Sequence, residues 1–175
     1  LFFVRRCPFL VMLNERKTER NVHVLPSESC NLAPLLHYLY NINLKKQEKR
    51  SMKKVISTSN APAAIGPYSQ AIEVNGMLFL SGQLPIDAST GLMADGIEAQ
   101  ANQSLQNIKH ILEEAGLTMA NVVKTTVFLA DMSLFADMNK VYATFFEGEY
   151  PARSAVAVKA LPKDALVEIE CIAVR

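Results

Sequence analysis

The sequence predicts an α+β fold, a mixed β-sheet with two helices packed on one face, and three observations carry that prediction. Asn75-Gly76 stands between two apolar runs, the strongest short hairpin signal a sequence can give. Ile97, Ala101, Leu105, Ile108, Leu112 and Ala115 recur at helical spacing, and Leu134, Met138, Val141 and Phe145 repeat the pattern. The order hairpin, helix, strand, helix, strand, strand supplies two helices for one sheet.

Along the chain, residues 69–74 and 77–81 are the hairpin strands. Residues 85–96 are turn-rich, and Gly116 ends the first helix. Residues 122–129 are β-branched and apolar, which predicts a buried strand. The second helix closes near Gly148, and strands at 154–159 and 166–174 finish the chain. In the last strand Val167, Ile169, Cys171 and Ala173 share one side, while Glu168 and Glu170 share the other with Leu166, Ile172 and Val174. One face of such a sheet stays uncovered, which predicts a homo-oligomer.

With 175 residues, half of them apolar, the chain is long enough for one domain with a proper core. Its net charge of +1 conceals an asymmetry. Residues 1–51 carry nine Lys/Arg against four Glu and contain no glycine; residues 52–175 carry nine Lys/Arg against thirteen Asp/Glu. The leader therefore differs from the domain at 52–175, and it is expected to be an upstream extension before a start at Met52, or else a disordered basic tail. It lacks the pattern of a secretory signal, and Glu15, Glu19 and Glu28 do not suit a mitochondrial one. The acidic body argues against a nucleic-acid partner. No apolar run reaches the roughly 18 residues of a spanning helix, so no membrane partner is expected. Cys7, Cys30 and Cys171 fit neither a disulfide framework nor a zinc site and point to a reducing, cytoplasmic compartment; Cys171 reads as a buried structural thiol.

Two residues stand out as chemistry. Arg153, in Pro151-Ala152-Arg153-Ser154, offers a fork that holds a carboxylate, and Glu170 lies inside an otherwise apolar strand. On neighbouring strands they would combine an anion clamp with a proton-handling group. Pattern alone nonetheless favours a surface charge for Arg153 and a structural role for Glu170. Tyr68 and Ser81 sit at hairpin ends where turn chemistry accounts for them, and Asn139 sits on a helix where amides usually face solvent. His110, the one histidine after residue 51, has no partner placed by sequence, so neither a triad nor a metal site is expected. Ser81-Gly82-Gln83 lacks the spacing and lysine of a phosphate loop, and no cofactor is implied.

Five segments together resemble the RidA (YjgF-like) family of enamine/imine deaminases: residues 60–71 around Gly66-Pro67-Tyr68-Ser69-Gln70, residues 80–85 around Ser81-Gly82-Gln83, residues 123–129, Tyr150-Pro151-Ala152-Arg153-Ser154, and residues 168–174. The resemblance covers 52–175 and none of 1–51. It implies a chorismate-mutase-like homotrimer with sites in clefts between subunits, and hydrolysis of 2-aminoacrylate or its imine to pyruvate and ammonia without cofactor, protecting pyridoxal-phosphate enzymes. It puts Arg153 on the substrate carboxylate and Glu170 on the hydrolytic water, with Tyr68, Ser81, Asn139 and Ala155 lining the cleft. Ala155 departs from the cysteine that many deaminating members carry there. Two rivals stand beside this reading. One is a non-catalytic trimer that binds small carboxylates or acts as a chaperone-like scaffold; the other is an RNA-directed translation inhibitor or ribonuclease.

Overall fold

A three-residue strand that the sequence pattern does not reveal, β1 (Lys54–Ile56), opens the sheet at one edge. The structure, a computed structural model, describes residues 37–41 and 53–175. The chain divides after Ile42 into two units; in the first, residues 37–41 are helical, and everything below concerns the second. The expectations for residues 1–51 otherwise lie outside the described residues.

β2 (Ala71–Val74) and β3 (Met77–Gln83) form the predicted hairpin, with Val74 opposite Met77. Asn75 and Gly76 both take positive φ, 53° and 78°, as a turn whose twist matches the flanking strands requires. β2 begins at Ala71, two residues later than the pattern suggests, because Gln70 is engaged elsewhere. Its buried amide accepts from Thr58 N at 2.7 Å and donates to the Pro62 carbonyl at 2.8 Å, pinning the preceding loop.

α1 (Ile97–Glu114) buries the whole predicted stripe from Ile97 to Leu112, and Ala115 beyond it. It ends in a Schellman arrangement: Gly116, at φ 71°, donates to the Glu113 carbonyl and Leu117 to that of Leu112. β4 (Val122–Leu129) follows, then α2 (Phe135–Ala143), β5 (Ala152–Ala157) and β6 (Val167–Val174). In α2 the buried stripe is Met138 and Tyr142, continued by Phe146; Leu134, Val141 and Phe145 are only partly buried. That is a rotation of the predicted face.

The sheet order is β1-β2-β3-β6-β4-β5, mixed, with β4 and β5 parallel and the other neighbours antiparallel. Both helices lie on one face, so the predicted class stands. The core fills that face, where Leu78, Val127, Leu129, Val167, Ile169 and Ala173 are at most 1% exposed. Burying each of these Leu, Val and Ile side chains stabilises the fold by about 1.5–3 kcal/mol. On the opposite face, Val55, Ile72, Phe79 and Ile172 register as one apolar row across four strands. Val55 in that row is 56% exposed and Phe79 41%.

One expectation fails here. β5 and β6 are not neighbours, because β4 runs between them. The physical reason is the crossover: a strand-helix-strand passage from β4 through α2 to β5 returns a parallel strand to the side of β4, and β6 already occupies the other side. Arg153 and Glu170 therefore stand two strand spacings apart, about 10 Å in the sheet.

Candidate functional site

Register fixes where each predicted residue lies. Leu80, Cys171, Thr125 and Arg153 form one row across β3, β6, β4 and β5. The first three are at most 5% exposed on the helix side, so Arg153 belongs to that side. The next row, Glu170, Thr126 and Ser154, belongs to the open side. Within one chain the guanidinium and the carboxylate thus occupy opposite faces of the sheet.

Around Arg153 the helix side forms a cleft of about 410 Å³ lined by Asn139, Tyr142, Ala143, Tyr150, Pro151 and Arg153. Arg153 Nη1 donates to Asn139 Oδ1 at 2.8 Å, and its Cζ lies 4.6 Å from the centroid of the Tyr142 ring and 5.4 Å from that of Phe135. Tyr142 is held in turn by a buried 2.8 Å hydrogen bond between its hydroxyl and Thr125 Oγ1. Burial pushes the Tyr142 phenol upward, against the opposing effects of Thr125 and Arg153, so it stays neutral near pH 7. Ala155, two residues beyond Arg153 on the same side, packs against the core. Among the described residues, the ion pairs are Lys140 with Asp137 and Arg175 with Glu73; Arg153 has no carboxylate partner. A partly buried cation held only by neutral groups keeps its charge for an incoming anion.

The second cluster lies on the open side. Leu80 faces Cys171 and Gln83 faces Ile169, so Ser81 and Gly82 together oppose Glu170 in a β-bulge. Ser81 Oγ donates to the Ser69 carbonyl at 2.7 Å, drawing the turn that carries Tyr68 against the bulge, and Tyr68 is 51% exposed. The Glu168 carboxylate lies against Gly82, in the space a Cβ there would occupy, so a side chain at 82 would displace it. Burial, and then the charge of Glu170, push the Glu168 carboxyl upward. The same two causes push the Cys171 thiol to about 12, which makes it the inert buried thiol the sequence suggests.

The site residues thus fall into two groups: Arg153, Asn139 and Ala155 on one side, Glu170, Ser81 and Tyr68 on the other. Reasoning from sequence missed Phe135, Tyr142 and Tyr150. The available signal was spacing, since Phe135, Asn139 and Tyr142 recur at i, i+4 and i+7 on α2. Among the described residues, His110 bonds only the Asn60 carbonyl, at 2.8 Å.

Comparisons with known proteins identify the family of the chain. The sequence model of the Endoribonuclease L-PSP family matches residues 58–175. A 2-iminobutanoate/2-iminopropanoate deaminase of Salmonella typhimurium is 52% identical over 127 residues, covering 71% of this chain and 99% of the relative. The crystal structure of the Escherichia coli YjgF gene product superposes with a TM-score of 0.68 at 50% identity, covering 70% of this chain and 98% of that one. Escherichia coli TdcF with bound serine has the same TM-score at 46% identity, again over 70% of this chain and 98% of that one. On its motifs, its fold and these matches, the chain belongs to the Endoribonuclease L-PSP family, the RidA (YjgF-like) proteins that its sequence resembles.

Proposed function

We propose that this protein is a 2-iminobutanoate/2-iminopropanoate deaminase, hydrolysing reactive enamines and imines of 2-amino acids to 2-keto acids and ammonia. The observation that carries the reading is the guanidinium of Arg153, held at a cleft by neutral partners and so free to take a 2-carboxylate. Serine, the molecule bound to the related TdcF, carries the same carboxylate.

In the mechanism, Arg153 receives the carboxylate and fixes the imine, an orientation effect that raises effective concentration. Glu170 orients a water and takes its proton as the oxygen attacks C2. Glu170 passes that proton to the imine nitrogen, giving the carbinolamine, which then collapses: the hydroxyl gives up its proton as the C=O bond forms, the C–N bond breaks, the nitrogen takes up that proton and leaves as ammonia, and the 2-keto acid remains. An enamine first accepts a proton at C3 and gives one up from nitrogen to become the imine. Tyr68, Ser81 and Asn139 complete the walls. Such imines hydrolyse unaided, so modest acceleration suffices to remove them before they damage pyridoxal-phosphate enzymes.

Because Arg153 and Glu170 lie on opposite faces of one sheet, a site using both draws them from different subunits. A homotrimer in the cytoplasm, covering the apolar row of Val55, Ile72, Phe79 and Ile172 and closing the cleft between protomers, meets that requirement. The family's ribonuclease description finds less support, since residues 52–175 carry nine basic against thirteen acidic side chains.

The test generates 2-aminoacrylate in place with a serine dehydratase and follows pyruvate release. Adding the protein is expected to speed release in proportion to its concentration while leaving single-stranded RNA intact. An unchanged rate, or cleaved RNA, overturns the proposal.

A further inference from the structure

We propose that Tyr142 and Phe135 are positioning residues for the deamination, an aromatic bed that sets the plane and reach of the Arg153 guanidinium. The inference deepens the deaminase reading and rests on it.

An arginine side chain has four rotatable bonds and loses considerable freedom when it is fixed in one geometry. Arginine clamps are usually fixed by carboxylates, which also cancel their charge. Arg153 is fixed differently. One Nη donates to a neutral amide, and the guanidinium carbon lies within about 6 Å of two ring centroids, inside the range of cation–π attraction. The rings orient the charge without neutralising it, because an aromatic face offers partial negative charge and no ionisable group.

The bed is itself braced. Tyr142 is 3% exposed, its hydroxyl is bonded to Thr125, and Thr125 pairs in register with Arg153 on the adjacent strand. Phe146 packs against Tyr142 with its ring tilted by 38° and the ring centroids 4.8 Å apart. The sheet therefore sets both the base of Arg153 and, through Thr125, the ring beneath its head. Thr125 is 1% exposed, and without Tyr142 its hydroxyl would be buried and unpartnered.

A guanidinium that holds the carboxylate equally in ground and transition states contributes to KM more than to kcat. Losing the bed is therefore expected to raise KM, whereas a merely structural defect lowers the active fraction and so the apparent kcat. Three variants separate these: Tyr142→Phe keeps the ring, Tyr142→Leu removes it, and Phe135→Leu removes the more exposed ring, which guards against a misfolded Tyr142→Leu. KM in the coupled assay, and the Kd of the non-reacting carboxylate 2-oxobutanoate by calorimetry, are the two readouts. Tyr142→Leu is expected to raise both about tenfold and Phe135→Leu a few-fold, while Tyr142→Phe, which keeps the ring but loses its brace to Thr125, falls between wild type and Tyr142→Leu. Wild type that binds 2-oxobutanoate without turnover would sink the deaminase reading while the Kd series still tests the bed. Leucine variants with wild-type Kd, or a Tyr142→Phe as impaired as Tyr142→Leu, would overturn the inference.

Discussion

Replacing Asn139 by aspartate is expected to cripple the enzyme as severely as removing Arg153, although it changes one side-chain atom. Asn139 Oδ1 accepts from Arg153 Nη1 at 2.8 Å. An aspartate fits the same space and strengthens that bond into an ion pair, so the fold should hold or gain stability. The pair, however, cancels the charge that the substrate carboxylate needs. Truncating one member of a buried, hydrogen-bonded charge pair costs about 2–5 kcal/mol, which places the loss in kcat/KM for Arg153→Ala at roughly 30- to 5,000-fold. Asn139→Asp should fall in that range, chiefly through KM, with an unchanged or raised Tm. Steady-state kinetics beside thermal unfolding checks it. A stable Asn139→Asp with wild-type KM would mean that Arg153 does not hold the substrate by its charge.

Glu170→Gln is expected to act on the other term. Removing a positioned general base slows a reaction by about 10²–10⁴-fold, and the low end applies to an imine that hydrolyses unaided. The loss should lie in kcat, with KM nearly unchanged, because the carboxylate clamp belongs to the other face. Titration offers a second readout. The charge of Glu170 is the second cause, after burial, of the raised Glu168 carboxyl, so Glu170→Gln should lower the Glu168 pKa toward the ordinary carboxylate range. NMR of the Glu168 side-chain carboxyl carbon in wild type and variant follows the shift. A variant with full kcat would remove Glu170 from the proton-handling role.

Much of this architecture is legible in local pattern. Asn75-Gly76 marks its turn because few residues tolerate positive φ at two consecutive positions, and the α1 stripe from Ile97 to Leu112 is set by one buried face. The alternation of Val167, Ile169, Cys171 and Ala173 against Glu168 and Glu170 likewise follows from a sheet with one covered side. β1 escapes because three residues cannot display an alternation, and Lys54–Ile56 is held by pairing with β2 rather than by its own pattern. Strand order is a long-range property. Only the βαβ passage through α2 hints that β5 returns to β4, and hence that Arg153 is parted from Glu170. The aromatic bed was hidden for a related reason: Tyr142 and Phe135 read as ordinary core positions until Arg153 is seen over their rings. The motifs thus name both groups of candidate residues, but the assignment of each group to its own face needs the sheet.

Subunit mixing tests whether each site draws its arginine and its glutamate from different subunits. Arg153→Ala and Glu170→Ala proteins, each nearly inactive alone, are dissociated, combined in equal amounts and reassembled. If every site takes its arginine from one subunit and its glutamate from another, random assembly restores an intact pair at about a quarter of the sites, and activity should return to that fraction of wild type. A mixture no more active than the two variants measured separately would contradict the account, because it would mean that Arg153 and Glu170 of a single chain serve the same site.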